Sequence, residues 1–224
     1  MLEHAKPAPA LSWLDASLAR FEGDNADLAP RTRALLDKLV AEPKRHARMI
    51  NTLSLLEHMG SHKIMATQHS AAIDQATLKH VAEEAHHAFF MKRQAEKTAE
   101  RALEYVADDL LAPSAARMYF QRLEGATVRA LGAKRTARAA YLYMSMIVEF
   151  RALWFYGLYE QALKRAQHAM SLKRVLGEEQ AHLGDMAERL EAGNELFDAR
   201  VAQVLAAERE LYSRLLGALE RGAA

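Results

Sequence analysis

Scarcity of glycine and proline is the feature that most narrows the folds open to this sequence. Its 224 residues include 10 Gly and 5 Pro. Ala, Leu, Glu, Arg and Lys dominate instead, and these are strong helix formers. The chain contains no Asn-Gly or Asp-Gly turn and no run of alternating β-branched residues, which are the usual marks of hairpins and strands. The sequence therefore predicts an all-α fold.

The few breaking residues divide the chain into predicted helices. These are a helix opened by Pro30 and interrupted at Pro43, then 44–67, 72–111, 114–131, 136–166, and a helix from Ser171 towards Leu219 with bends at Gly184 and Gly193. Ser70 and Ser114 are predicted caps of the helices that follow them. The segment 72–111 would be about 60 Å long at about 1.5 Å per residue. Two helices, a long crossover and two more helices predict a four-helix bundle.

Composition excludes several function classes. The formal net charge is +1 and cysteine is absent. A near-neutral balance does not favour a dedicated nucleic-acid or membrane-surface protein. Without cysteine there is no disulfide, iron–sulfur cluster or thiol catalysis, so any metal must be held by His and carboxylates. We expect a cytoplasmic protein, since no segment resembles a signal peptide or a membrane span.

Glu-x-x-His is the motif that carries chemistry. It occurs as Glu83-x-x-His86, Glu84-x-x-His87 and Glu179-x-x-His182. Because matches of this kind also arise by chance, their positions on the predicted helices are more informative than their number. Residues three apart lie on one helical face, where Glu and His can converge on one ion.

A lone glutamate precedes each pair by about one helix length. Glu57 lies 27 residues before Glu84, and Glu149 lies 30 residues before Glu179. In antiparallel helices joined by a short loop, residues equally far from the loop face each other. We therefore expect each of four helices to present one glutamate at a similar level.

The two overlapping Glu-x-x-His matches predict different pairs of residues on the inward face of the helix. Glu84 and His87 share a stripe with small and apolar residues, whereas Glu83 and His86 lead to the more polar face of Arg93. We predict that Glu84 and His87 point inward, and the sequence leaves Glu83 and His86 open as the alternative pair.

Six residues form the predicted metal site: Glu57, Glu84, His87, Glu149, Glu179 and His182. They lie in apolar stripes, where an unpaired charge is costly. Two divalent ions would balance four carboxylates. Because His and carboxylate ligands suit iron or manganese, we predict two Fe ions, with Mn or a mixed Fe/Mn pair as alternatives.

This ligand pattern resembles that of the ferritin-like di-iron carboxylate superfamily. The string Glu83-Glu84-Ala85-His86-His87 is also similar to the helix-two motif of tRNA-modifying di-iron hydroxylases related to the 2-methylthio-N6-isopentenyladenosine hydroxylase. In that motif the second Glu and the second His are the ligands. The resemblance implies one ferritin-like domain over 1–224, with a core at about 44–200, a crossover segment, additional terminal helices and an N-terminal extension at 1–29.

The expected function is a non-haem di-iron oxidoreductase that activates O2, a hydroxylase or monooxygenase. The closer resemblance implies a modified tRNA nucleoside as substrate. Glu57 and Glu149 would be carboxylate ligands, Glu84, Glu179 or both would bridge the metals, and each predicted histidine would bind one. The expected partners are O2, an organic substrate, an electron-donor protein and tRNA, with no membrane; long exposed helices allow a homodimer.

Two other function classes stay open: a ferritin-like iron storage or detoxification protein, and a metal-free helical interaction protein. Two local features also have two readings each. Several aromatic residues surround Glu149. They either include a redox-active tyrosine or line the substrate site, or else they only pack the core. They are Tyr141, Tyr143, Trp154, Phe155, Tyr156 and Tyr159. The basic stretch from Arg129 to Arg138 has two interpretations. It either binds phosphate groups, such as those of tRNA, or is the solvent-exposed start of a helix.

Overall fold

The computed structural model describes residues 12–68, 73–134, 136–193 and 199–224. These residues form eight α-helices and no strand, which confirms the all-α prediction for the described part of the chain. The helices are α1 Ser12–Asp24, α2 Ala29–Val40, α3 Pro43–Ala66, α4 Gln75–Ala99, α5 Pro113–Leu131, α6 Ala137–Arg165, α7 Lys173–Ala192 and α8 Ala199–Gly222. Two short 3₁₀ turns lie at Ala107–Asp109 and Gly132–Lys134.

The helices pack as a bundle around one buried core. α3 packs along α4, α6 packs along α7, and α4 contacts α7. α5 links the two pairs and packs on α8, α6 and α3, while α2 covers α6 and α3. The core includes Phe21 of α1 and Tyr212 of α8, so it extends beyond residues 44–200.

Breaking and capping residues set several helix ends. α3 begins at Pro43, whose missing N–H is not needed in a first turn. α5 ends at Gly132, whose φ of +52° lies in the left-handed region. Ser70 lies outside the described residues. Asp74 is the N-cap of α4, and its carboxylate accepts a 2.7 Å hydrogen bond from the Thr77 N–H.

The long helix predicted over 72–111 is wrong at its C-terminal end. α4 stops at Ala99, and Glu100 follows in the left-handed conformation with φ of 54°. The chain then forms a loop with one 3₁₀ turn before Pro113 begins α5.

Polar side chains of α3 hold this loop in place. Asn51 donates hydrogen bonds to the carbonyl oxygens of Glu104 and Asp109, at 2.9 and 3.0 Å. The Thr52 hydroxyl accepts from the Leu111 N–H at 2.8 Å. These bonds satisfy backbone groups of the loop that have no helical partner.

The predicted C-terminal segment consists of two helices, α7 and α8. Gly193 caps the end of α7, and Gly184 lies within α7. The carboxylate of Glu160 accepts a 2.7 Å hydrogen bond from the Leu172 N–H, just before α7 begins. This bond ties the end of α6 to the start of α7 and fixes the register of the two helices.

Among the described helices, none combines the length and apolar character needed to cross a bilayer.

Candidate metal centre

The structure brings all six predicted site residues together inside the bundle. Glu57 comes from α3, Glu84 and His87 from α4, Glu149 from α6, and Glu179 and His182 from α7. Their exposed fractions do not exceed 8%.

The overlapping alternative pair lies outside this cluster. Glu84 and His87 are buried, whereas Glu83 is half-buried and His86 is exposed. The prediction that Glu84 and His87 point inward is therefore confirmed.

The side chains form two overlapping groups, each able to hold a metal ion. Within each group, one ligand atom per residue lies within 4.8 Å of the others. One group is Glu57, Glu84, His87 and Glu179; the other is His80, Glu84, Glu149 and His182. Glu84 belongs to both groups, which is the position of a carboxylate shared by two ions.

His80 is a site residue that the sequence analysis missed. Its Nε2 lies 3.2 Å from Glu149 Oε1 and 3.3 Å from Glu84 Oε1. Its Nδ1 is 2.9 Å from the Tyr141 hydroxyl. The signal was present in the sequence, because His80 lies four residues before Glu84, one turn along the same face.

The other two histidines present the same ring nitrogen to the cluster. His182 Nδ1 lies 3.3 Å from Glu179, and His87 Nδ1 also lies 3.3 Å from Glu179. Each Nε2 points away and donates to an outer carboxylate, Glu178 for His87 at 2.8 Å and Glu83 for His182 at 2.9 Å. Outer carboxylates of this kind fix the orientation of histidine metal ligands and raise their basicity.

These outer bonds are reciprocal between α4 and α7. Both helices carry the string Glu-Glu-x-x-His, at Glu83 and at Glu178. In each string the first Glu holds the histidine of the opposite helix, and the second Glu enters the cluster. The two halves of the site are therefore built to the same plan.

Two buried atoms in the cluster have an ionisable neighbour but no well-formed hydrogen bond among the described residues: Glu84 Oε1, 3.3 Å from His80 Nε2, and His87 Nδ1, 3.3 Å from Glu179 Oε1. A buried polar atom without a well-formed hydrogen bond is costly. Both atoms face the shared centre, and both are types that bind iron or manganese. The donor set therefore fits metal ions at this position.

The carboxylates differ in how readily they lose a proton. Burial, and then the charges of Glu84 and Glu179, raise the pKa of Glu57 well above its usual value. Burial and the charge of Glu149 raise the pKa of Glu179. Burial opposes ionisation of Glu149 too, but hydrogen bonds from His182 and His80 lower its pKa.

All three imidazoles of the cluster favour the protonated form. Burial alone would lower their pKa values, but hydrogen bonds to the carboxylates outweigh it. The pKa rises to about 12 for His80, about 9 for His87 and about 10 for His182. Protons thus offset the carboxylate charge, and metal ions must displace them to bind.

Two cavities approach the cluster from the side of α5. They share Phe120 and Val148 in their walls. One, of about 90 Å³, reaches His80 and Glu149 and continues past Lys63. The other, of about 80 Å³, reaches Glu57 and is lined by apolar residues; these include Met49, Leu53, Leu56, Phe155, Leu215 and Leu219.

The aromatic residues around Glu149 divide into contacts with the site and core packing. The Tyr156 hydroxyl donates to Glu57 Oε1, and Tyr141 contacts His80. Tyr143 and Tyr159 are fully buried. Arg135, in the basic stretch that precedes α6, lies outside the described residues.

No protein-family model matches this chain, and neither a curated protein nor a solved structure shows significant similarity to it.

Proposed function

We propose that this protein is a non-haem di-iron oxidoreductase that activates O2 and hydroxylates an organic substrate. One observation carries the proposal. Two buried four-residue ligand groups share Glu84, and cavities of about 90 and 80 Å³ reach the two groups. A site that only stored iron would have no use for an apolar cavity at the metal.

Donor chemistry supports iron, with manganese or a mixed pair as the alternatives. The cluster offers four carboxylates and three imidazoles and no sulfur. Such ligands suit iron and manganese. Bound ferrous ions would supply the electrons that reduce O2, and the protein would supply position and a dry environment.

The cavities support an apolar reacting group on the substrate. The walls near Glu57 are mostly aliphatic and aromatic, so they favour burial of a small alkyl group beside the metals. The other cavity is lined by Val128 and Tyr141, on either side of the basic stretch. An alkyl group on a tRNA nucleoside is the first substrate to test.

Residues of the chain have distinct tasks in this proposal. Glu84 would be a ligand shared by the two ions, while His87 and His182 would each hold one through Nδ1. Glu83 and Glu178 hold those rings in place. Phe120 and Val148 separate the two approaches and exclude water from the centre.

An anaerobic Fe(II) titration of metal-stripped protein, followed by admission of O2, tests the proposal. We expect two ferrous ions per chain and rapid O2 consumption. The Glu149→Gln variant should lose one of the two ions. Glu160→Gln is the matched control, because Glu160 is a buried glutamate of the same helix that contacts Leu172 and lies outside the cluster.

The competing functions give different results. A storage protein would take up many more than two ions per chain and assemble into a hollow shell, visible by light scattering. A metal-free interaction protein would show no saturable binding and no change of stability with chelators. Either result would contradict the proposal.

A further inference from the structure

Aromatic side chains form a line from the candidate metal centre towards the surface. It begins at Tyr156, whose hydroxyl donates to the site carboxylate of Glu57. Tyr159 lies on the same face of α6, one turn further on. The Phe155 ring contacts both tyrosines, with centroid distances of 5.9 Å to Tyr156 and 6.2 Å to Tyr159.

Two histidines continue the line. The Tyr159 hydroxyl and His46 Nε2 are 2.5 Å apart, and both residues are buried. The His46 ring packs edge-on against His168, with a centroid distance of 4.9 Å. His168 is only half-buried, so the line ends at the surface.

The protonation state of His46 allows it to accept a proton. Burial, helped by the neighbouring His168, lowers the pKa of His46 to about 4, so its ring is neutral near pH 7. The Tyr159 hydroxyl therefore donates to His46 Nε2. A buried hydroxyl needs an acceptor of some kind. A neutral imidazole is in addition a base, and loss of an electron makes a phenol strongly acidic.

Building on the proposed function, we propose that Tyr156 and Tyr159 conduct single electrons between the metal centre and the surface at His168, with His46 as the proton acceptor of Tyr159. In the step, Tyr159 gives one electron to the centre after its reaction with O2, by way of Tyr156. The O–H bond of Tyr159 breaks and its proton binds His46 Nε2. A one-electron donor protein at the surface then restores the electron, and the proton returns to the tyrosine oxygen.

Freeze-quench electron paramagnetic resonance tests this inference. Fe(II)-loaded protein is mixed with O2 without substrate or donor, and the tyrosyl radical is counted per chain. We expect a radical in the parent protein that narrows when its tyrosines are ring-deuterated. Tyr159→Phe and His46→Gln should each lower its yield at least tenfold.

Tyr105→Phe is the matched control, because Tyr105 also has a hydroxyl hydrogen bond, to Ser54 at 2.7 Å, and lies off the line. It should keep the parent yield. In the parent itself, double-resonance spectroscopy should find an exchangeable proton hydrogen-bonded to the radical oxygen, which a variant that fails to fold cannot obscure.

The outcomes separate this inference from the proposed function. Fe(II) binding and O2 consumption with no tyrosyl radical, or with equal yields in parent and Tyr159→Phe, would overturn the inference and leave the proposed function standing. Absence of Fe(II) binding would overturn both.

Discussion

The candidate metal centre and the cluster around Arg151 are both buried and polar, but their charges are balanced differently. Arg151 donates to both carboxylate oxygens of Glu208, at 2.8 and 2.7 Å, and Tyr119 donates to the same carboxylate. The guanidinium also lies 3.9 Å from the ring centroid of Tyr212. One positive charge therefore meets one negative charge within the protein.

The candidate metal centre is balanced differently, because its positive charge is carried by protons on three imidazoles that face four carboxylates. Buried atoms without a hydrogen-bond partner among the described residues occur in both clusters: Glu84 Oε1 and His87 Nδ1 in this one, and Nη1 of Arg151 in the other. The comparison separates a polar cluster closed by a fixed ion pair from one whose positive charge is carried by protons that metal ions can displace. Substitutions in the two clusters test that difference.

Glu208→Gln should have the largest effect on stability. It leaves the Arg151 charge buried without its partner, which costs about 3–5 kcal/mol in comparable cases. We expect a matching fall in the free energy of unfolding, measured with urea on metal-free protein. Any protein that remains folded should still bind two ions. An unchanged unfolding midpoint would show that the Arg151 cluster is not structural.

His46 is a buried group outside both clusters, and it should make stability depend on pH in the acid range. Its pKa is about 4 in the folded protein, against an ordinary value of 6.5. The unfolded chain therefore binds more protons between these values, and stability falls as pH falls from 6.5 to 4, by at most about 3 kcal/mol. His46→Gln should remove that part of the pH dependence. Parallel curves for parent and variant would contradict this assignment.

Compared with Glu208→Gln, Glu84→Gln should have a smaller effect on metal-free stability and a larger effect on metal binding. The change removes repulsion between Glu84 and Glu57 but also the attraction of Glu84 to His80 and His182, so we expect a smaller loss of metal-free stability than for Glu208→Gln. Fe(II) at 100 times its dissociation constant should stabilise the parent by about 2.7 kcal/mol for each ion bound. It should not stabilise the variant, because the shared ligand of both ions is gone. Thermal unfolding with and without Fe(II) measures both effects.

Substitution of either outer carboxylate should have the smallest effect among these variants, and the two substitutions should lower metal affinity equally. Glu83→Gln and Glu178→Gln each weaken the support of one histidine ligand, which lowers metal affinity by about 10–100-fold in known sites. Because the two bonds are reciprocal, we expect similar losses in the two variants by Fe(II) titration. A loss in only one variant would show that the two halves of the site are not equivalent.

The sequence predicted the cluster well because helical periodicity places residues three and four apart on one face. The apolar stripe also chose Glu84 and His87 over Glu83 and His86. The same reasoning could have found His80, one turn before Glu84. It could also have found the outer carboxylates, since Glu83 and Glu178 begin the same string in both helices.

The end of α4 could not be predicted in this way. Leu103, Leu110 and Leu111 are all buried in the structure, so the apolar signal continues beyond the helix. Asn51 and Thr52, far away in sequence, hold the backbone of the loop that follows the helix. Tertiary contacts of this kind leave no local signal in the sequence.

Anomalous diffraction at the iron edge, from crystals loaded anaerobically with Fe(II), shows whether the cluster holds two ions. We predict two peaks, about 3.5–4 Å apart as in other two-metal sites, on either side of Glu84. One should lie beside Glu57 and His87, and the other beside Glu149 and His182. No peak inside the bundle, or iron only at surface histidines such as His58 and His62, would contradict this prediction.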